Sequence, residues 1–255
     1  MSDADKAEEL EEGTLLSHLI ELRSRLIKMF AAVIVVFIVL VPFAQDLYDL
    51  VSAPLVEVLP GGKLISTTVP GVLLAPFKLT FLVAVLIAMP VILYQVWAFV
   101  APGLYRKERR FAFPMLASSI ALFYAGAAFA FFVVFPLVFG FFVKISPDNA
   151  EMMTDVSYYL DFITMVVLAF GLAFETPIAT VLTVWTGLTT PEKLGKARPY
   201  VFLLAFVIGM LLTPPDIISQ TLLAVPVYLL YEVGIFLSRV FVRKRPEEDA
   251  VAADG

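Results

Sequence analysis

Cysteine is absent from this chain, and histidine occurs once, as His18. The first absence excludes disulfides, thiolate metal sites and a cysteine nucleophile. The second excludes a His-Glu-x-x-His metal pair. It leaves a serine hydrolase only His18, which stands outside the hydrophobic region and reads as a polar residue near a helix start. No Gly-x-x-x-x-Gly-Lys-Ser/Thr occurs, so the chain has no phosphate-cradling loop of its own. Neither an internal repeat nor a Gly-x-x-x-Gly pair is present. Charge is scarce too: Lys, Arg, Asp and Glu make up 16% of the 255 residues, against about 25% in soluble domains. The chain is therefore not expected to be an enzyme, and no cofactor, metal or nucleic acid is expected as a ligand. Any work done here draws on a partner or on the membrane potential.

What is abundant is apolar sequence. Hydrophobic residues reach 60% and the mean hydropathy is +0.92. Several uncharged runs approach or exceed the ~20 residues that a spanning helix needs. The expected fold is an all-α integral membrane protein of six transmembrane helices, the last two short. The spans fall at about residues 24–46, 74–100, 111–142, 160–186, 198–213 and 216–238. They lie inside one membrane domain, 17–240, between an acidic disordered N-terminus, 1–16, and a tail, 241–255. Nothing resembles a cleavable signal peptide, because the N-terminus is acidic and the first apolar run is followed by more spans. Basic residues set the orientation. Of the 18 Lys and Arg, only Lys63, Lys78 and Lys144 fall in the connections opposite the termini. Both termini are expected on the cytoplasmic side.

The stretch from Ser17 to Lys28 is a charged amphipathic helix that runs into the first span with no Pro or Gly between them. Leu15, Leu19, Leu22 and Leu26 share one face; His18, Glu21, Arg25 and Lys28 share another; Arg23 stands apart from both. Glu21 is thus expected at the water-facing mouth of the first span. Glu108, in the loop Tyr105-Arg106-Lys107-Glu108-Arg109-Arg110, belongs to the same rim. Two carboxylates there could receive guanidinium groups, since arginine forms bidentate, charge-assisted pairs with carboxylate. The plainer readings are a Glu21–Arg25 surface pair at i, i+4, worth ~0.2–0.5 kcal/mol, and a Glu108 neutralised by its basic neighbours. Spacing alone leaves both open.

Glu175 is a third carboxylate, with uncharged sequence from Phe162 to Phe174 before it and from Thr176 to Pro191 after it. An ionised carboxylate near the bilayer centre is expensive, and such residues usually face a bundle interior or a water cavity. The plainer reading is a side chain that holds the kink made by Pro177. Asp216 is placed as the N-cap of the last helix, with Gln220 one turn on. Met210, Leu211, Thr213 and Gln220 could form a polar-edged docking patch for another helix.

Together these residues resemble the TatC family of twin-arginine protein translocases. His18-Leu19-Ile20-Glu21-Leu22-Arg23 is similar to its N-terminal motif. So are Ser52-Ala53-Pro54-Leu55, the run from Pro90 to Phe99, Phe174-Glu175-Thr176-Pro177 and Leu212-Thr213-Pro214-Pro215-Asp216, in order, over roughly residues 16–239. Span three matches more loosely. The resemblance implies a core receptor subunit in the bacterial cytoplasmic (inner) membrane. It would bind twin-arginine signal peptides of folded cargo and nucleate export driven by the proton motive force. It implies that Glu21 and Glu108 receive the arginines, with Arg23 in the same motif and Phe99 close by. It further implies that Glu175 is the family's intramembrane carboxylate and that Pro54 and Pro90 are sensitive prolines. Met210, Thr213 and Gln220 match positions where single-span TatA- and TatB-type partners dock, and Asp216 is counted in that patch. Self-association and contact with lipid are implied as well. The alternatives are a proton-coupled small-solute transporter using Glu175, although internal repeats are usual there, and a scaffold with no ligand.

Overall fold

The computed structural model describes residues 3–58, 65–100, 112–145, 155–213 and 216–241. Glu108 lies outside them, as do Pro214 and Pro215. Among the described residues all regular structure is helical apart from one isolated bridge between Ile65 and Asp155. Five helical stretches are long and apolar enough to cross a membrane: His18–Ser52, Pro70–Val100, Phe113–Phe142, Val156–Trp185 and Ile217–Val240. The shorter Arg198–Leu212 completes the six. Large apolar side chains stand outward on them, with Phe30 70% and Phe132 72% exposed, as expected of a surface that lipid covers.

Helix α1 runs from Asp3 to Leu40. Residues 3–16, within the segment expected to be disordered, lie in this helix. Alanine, leucine, lysine and glutamate dominate that segment, and only Gly13 is a poor helix former. Its acidic residues also suit a helix N-terminus, so nothing ends the helix before Pro42. Pro42 supplies no N–H to the ladder, and a 3-10 turn, Val41–Phe43, follows before helix α2, Ala44–Val58. Helix α3, Val69–Val100, contains Pro76 and Pro90.

The chain divides into two compact units. The first comprises residues 1–120 and 148–164. In it α1 lies along α3, with the rings of Phe37 and Phe81 edge to face at 5.9 Å. Leu79, Leu82, Ala88, Leu93 and Trp97 are buried along α3. The indole N–H of Trp97 donates to Ser119 Oγ at 3.0 Å, which satisfies two polar groups where no water competes. Ser119 lies on helix α4, Ala112–Phe129.

Asp155 precedes helix α6, Val156–Ala173. Its Oδ2 accepts from Thr67 N at 2.7 Å and Thr67 Oγ1 at 2.6 Å, and its Oδ1 accepts from Ser157 N at 2.8 Å. Val156 N donates to Ile65 O at 2.9 Å. The clamp ties the segment before α3 to the start of α6. Donation by the Thr67 hydroxyl and amide draws the Asp155 carboxyl down to about 2, because those bonds favour its charged form. Lys78 and Asp161 add an ion pair at 2.6 Å.

The second unit comprises residues 121–147 and 165–255. There the third span continues through a π turn, Ala130–Val134, into helix α5, Phe135–Ile145. Pro136 accounts for the π turn: its ring displaces the carbonyl four residues back, at Phe132, so an extra residue is accommodated. The fourth span breaks at Phe174 and Glu175 and resumes as helix α7, Thr176–Trp185, with Pro177 in its first turn. Gly187, at φ 76°, turns the chain toward helix α8, Pro191–Lys196. Helix α9, Arg198–Leu212, and helix α10, Ile217–Phe241, complete the unit.

Helix α10 has 25 residues and α9 has 15, but the uncharged part of α10, Ile217 to Tyr231, is only as long as α9. At 1.5 Å per residue each apolar stretch spans about 22 Å, short of the ~30 Å hydrocarbon core. Glu232 marks the end of that stretch. Its two carboxylate oxygens accept from Arg198 Nε at 2.7 Å and Nη2 at 2.8 Å, and Tyr228 donates to it at 2.9 Å. Gly234 lets α10 approach α7: a Cβ there would collide with Thr180 Oγ1 and come within 3.0 Å of Pro177 Cα.

Candidate functional site

The α1 face that carries His18, Glu21 and Arg25 turns toward the C-terminal turns of α3. Arg25 reaches across to α3 and back to Glu21. Its Nε and Nη2 donate to Glu21 Oε1 at 3.0 and 2.6 Å. Nη1 donates to Gln95 Oε1 at 3.4 Å, and Nη2 also donates to Ala98 O at 3.0 Å. Ala98 lies near the end of α3 as described, and the residue four positions on, Pro102, has no N–H to offer its carbonyl. A cation there also suits the negative end of the helix dipole.

Arg25 is the more enclosed partner, its side chain 18% exposed against 36% for Glu21. Both of its bonds to Glu21 fall on Oε1. One turn earlier the rings of His18 and Phe99 lie 5.1 Å apart, tilted by 55°. The structure thus brings Glu21 and Phe99 to one place, through Arg25 and His18. Arg23 is exposed on another side of α1, as its angular position predicts. Arg25 and Gln95 are the residues that sequence reasoning passed over. Arg25 had been weighed only as an i, i+4 surface partner, and Gln95 carried no role.

Among the described residues, the remaining candidates belong to the second unit, apart from two prolines. Glu175 occupies the N-cap position of α7 without capping it by its side chain. It lines a cavity of about 630 Å³ together with Phe170, Thr176, Thr180, Gly209 and Leu212. Asp216 Oδ2 accepts from Ser219 N at 2.6 Å, the expected N-cap geometry. Gln220 Nε2 donates to Phe206 O at 2.6 Å, and Thr213 Oγ1 donates to Gly209 O at 3.0 Å. These two polar groups are spent inside the α9–α10 corner, whereas Met210 and Leu211 face outward at 48% and 68% exposure. Pro90 is half-buried within α3. Pro54 falls within α2, and its side chain lies outside the described residues.

Six apolar helical stretches, a carboxylate at the head of the first and another at a break within the fourth define a multi-pass α-helical membrane protein. Comparison with known proteins makes this specific. The family described as "Sec-independent protein translocase protein (TatC)" matches residues 17–226. The Sec-independent protein translocase protein TatC of Escherichia coli (strain K12) is 55% identical over 231 residues, 90% of each chain. That of Azotobacter chroococcum mcd 1 is 54% identical over 246 residues, covering 96% of this chain and 95% of the relative. A crystal structure described as the twin arginine translocase receptor TatC superposes with a TM-score of 0.80 at 38% identity, covering 89% of this chain and 100% of that one. The chain belongs to the TatC family of Sec-independent protein translocases. That membership favours the translocase reading over a small-solute transporter built on Glu175.

Proposed function

We propose that this chain is the receptor subunit of a twin-arginine translocase in the bacterial cytoplasmic membrane, with both termini cytoplasmic. Glu21 and Glu108 receive the paired arginines of signal peptides on folded cargo, and Phe99 borders the pocket. The observation that carries this is the Glu21 carboxylate at the head of the first span, held through Oε1 and, among the described residues, with no bond on its other oxygen, which can take a second guanidinium. Exposed ion pairs contribute only ~0–1 kcal/mol each, so the apolar segment of the signal peptide supplies most of the affinity. The arginines supply register and discrimination. Lysine keeps the charge but loses the planar fork, so Lys-Lys peptides bind poorly.

Single-span TatA- and TatB-type subunits dock at the α9–α10 corner. Met210 is the contacting side chain there, while Thr213, Asp216 and Gln220 shape the corner. Glu175 serves the transport step driven by the proton motive force, and its place beside a 630 Å³ cavity supports a role other than arginine capture. Self-association completes the assembly.

The test is photo-crosslinking of a labelled twin-arginine signal peptide to membranes that hold the full chain, comparing wild type with Glu21→Gln and Glu108→Gln. Crosslinking is expected to fall up to about fivefold in each variant, as for loss of one exposed ion pair. Crosslinking unchanged in both, with the protein inserted normally, overturns the receptor assignment.

A further inference from the structure

Glu21 already holds an arginine. Two of the five donors of Arg25 lie on Oε1, and two more are committed to Gln95 Oε1 and to Ala98 O near the end of α3. Moving Arg25 aside for a guest would strip a helix-terminal carbonyl and an amide oxygen of their donor. The enclosure of Arg25, at 18% against 36% for Glu21, points the same way: the resident arginine stays and the carboxylate is the accessible half. We infer that Arg25 is a specificity-determining residue of the site, a resident guanidinium that neutralises Glu21 in advance and so sets its preference for arginine over lysine.

The chemistry follows from the charge count. A bare carboxylate attracts any cation, and a compact ammonium is attracted at least as well as a spread guanidinium. A carboxylate–guanidinium pair is neutral, so an incoming cation gains little from charge alone and is repelled by Arg25 if it approaches from that side. What remains on Glu21 is the directional acceptor capacity of Oε2. A planar guanidinium can point one N–H at Oε2 and hold its others in the same plane for further acceptors of the pocket; an ammonium is a compact point charge without that fixed geometry. Arg25 therefore weakens the binding of every cation and weakens that of lysine more. Its bonds to Gln95 and Ala98 fix where Oε2 points, which makes it a positioning residue as well.

This inference rests on the proposal that Glu21 receives an arginine of the ligand. The experiment uses the full chain in nanodiscs and fluorescent signal peptides carrying Arg-Arg or Lys-Lys. Dissociation constants are measured for wild type, Arg25→Gln, Arg25→Lys and Glu21→Gln. Arg25→Gln is expected to tighten the Lys-Lys peptide most, so that the Arg-Arg over Lys-Lys preference shrinks about tenfold. Arg25→Lys keeps the neutralising charge and is expected to retain most of the preference, a rescue that a purely structural role would not predict. A preference unchanged in Arg25→Gln while Glu21→Gln binds poorly overturns this inference alone. Loss of both peptides in Arg25→Gln with no rescue by Arg25→Lys also overturns it. Binding to Glu21→Gln that matches wild type removes the receptor reading and this inference together.

Discussion

Glu21 and Glu175 are both carboxylates inside long apolar helices, and the two units treat them in opposite ways. In the first unit α1 passes Glu21 without a break, and the charge is met by an arginine one turn on, itself tied to Gln95 and Ala98. In the second unit the helix breaks at Glu175, and the approach of α10 at Gly234 builds the surroundings. At the mouth a charge is met by a partner side chain; within the span a carboxylate stands at a helix break beside a cavity. The difference teaches where each unit is vulnerable. The first is sensitive to the loss of a guanidinium or a carboxylate, the second to an added methyl group.

The largest effect expected on the first unit is Glu21→Gln, which should reduce twin-arginine peptide binding up to about fivefold and leave insertion intact. For the second unit the counterpart is Gly234→Leu. The new side chain must displace Thr180 and the Pro177 backbone, and overpacking of this kind costs ~1–3 kcal/mol. Protease resistance of the purified protein should fall, whereas Gly140→Ala, where a Cβ meets nothing within 4 Å, should be neutral or mildly stabilising. Equal tolerance at the two glycines would break the comparison.

A smaller effect is expected from Glu232→Gln, which removes the charge from the two-point pairing with Arg198. The pair is partly exposed, at 42% and 30%, so the thermal midpoint should drop by only about 2–4 °C. The smallest effect concerns the Asp155 clamp. Its carboxyl sits at about 2, below the ordinary 3.8, so its contribution is fully present above about pH 4. That contribution is lost as pH falls through about 2. Amide exchange at Thr67 and Val156 should accelerate over that window, and Asp155→Ala should make it fast at all pH values.

Much of the fold was legible because membrane spans announce themselves by uncharged length. The α1 face shared by His18, Glu21 and Arg25, and the isolation of Arg23, followed from 100° per residue. Asp216 as an N-cap followed from its place before an apolar run. Less legible were features that depend on contacts distant in sequence. Arg25 and Gln95 are 70 residues apart and Thr67 and Asp155 are 88 apart, and no periodicity links them. The pairing of Arg198 with Glu232, 34 residues apart, explains how α10 carries a charge beyond its short apolar stretch. The π turn at Ala130–Val134 had a signal in Pro136, but a proline announces disruption without saying whether the helix kinks, ends or widens.

The central claim is that Glu21 meets an arginine of the ligand directly. The most direct measurement is a double-mutant cycle in which Arg-Arg and Lys-Lys signal peptides are titrated against wild type and Glu21→Gln in nanodiscs. Direct contact predicts that exchanging arginine for lysine is costly in wild type and nearly free in Glu21→Gln, a departure from additivity of up to about fivefold. Additive effects, with the lysine penalty the same in both proteins, would contradict the account.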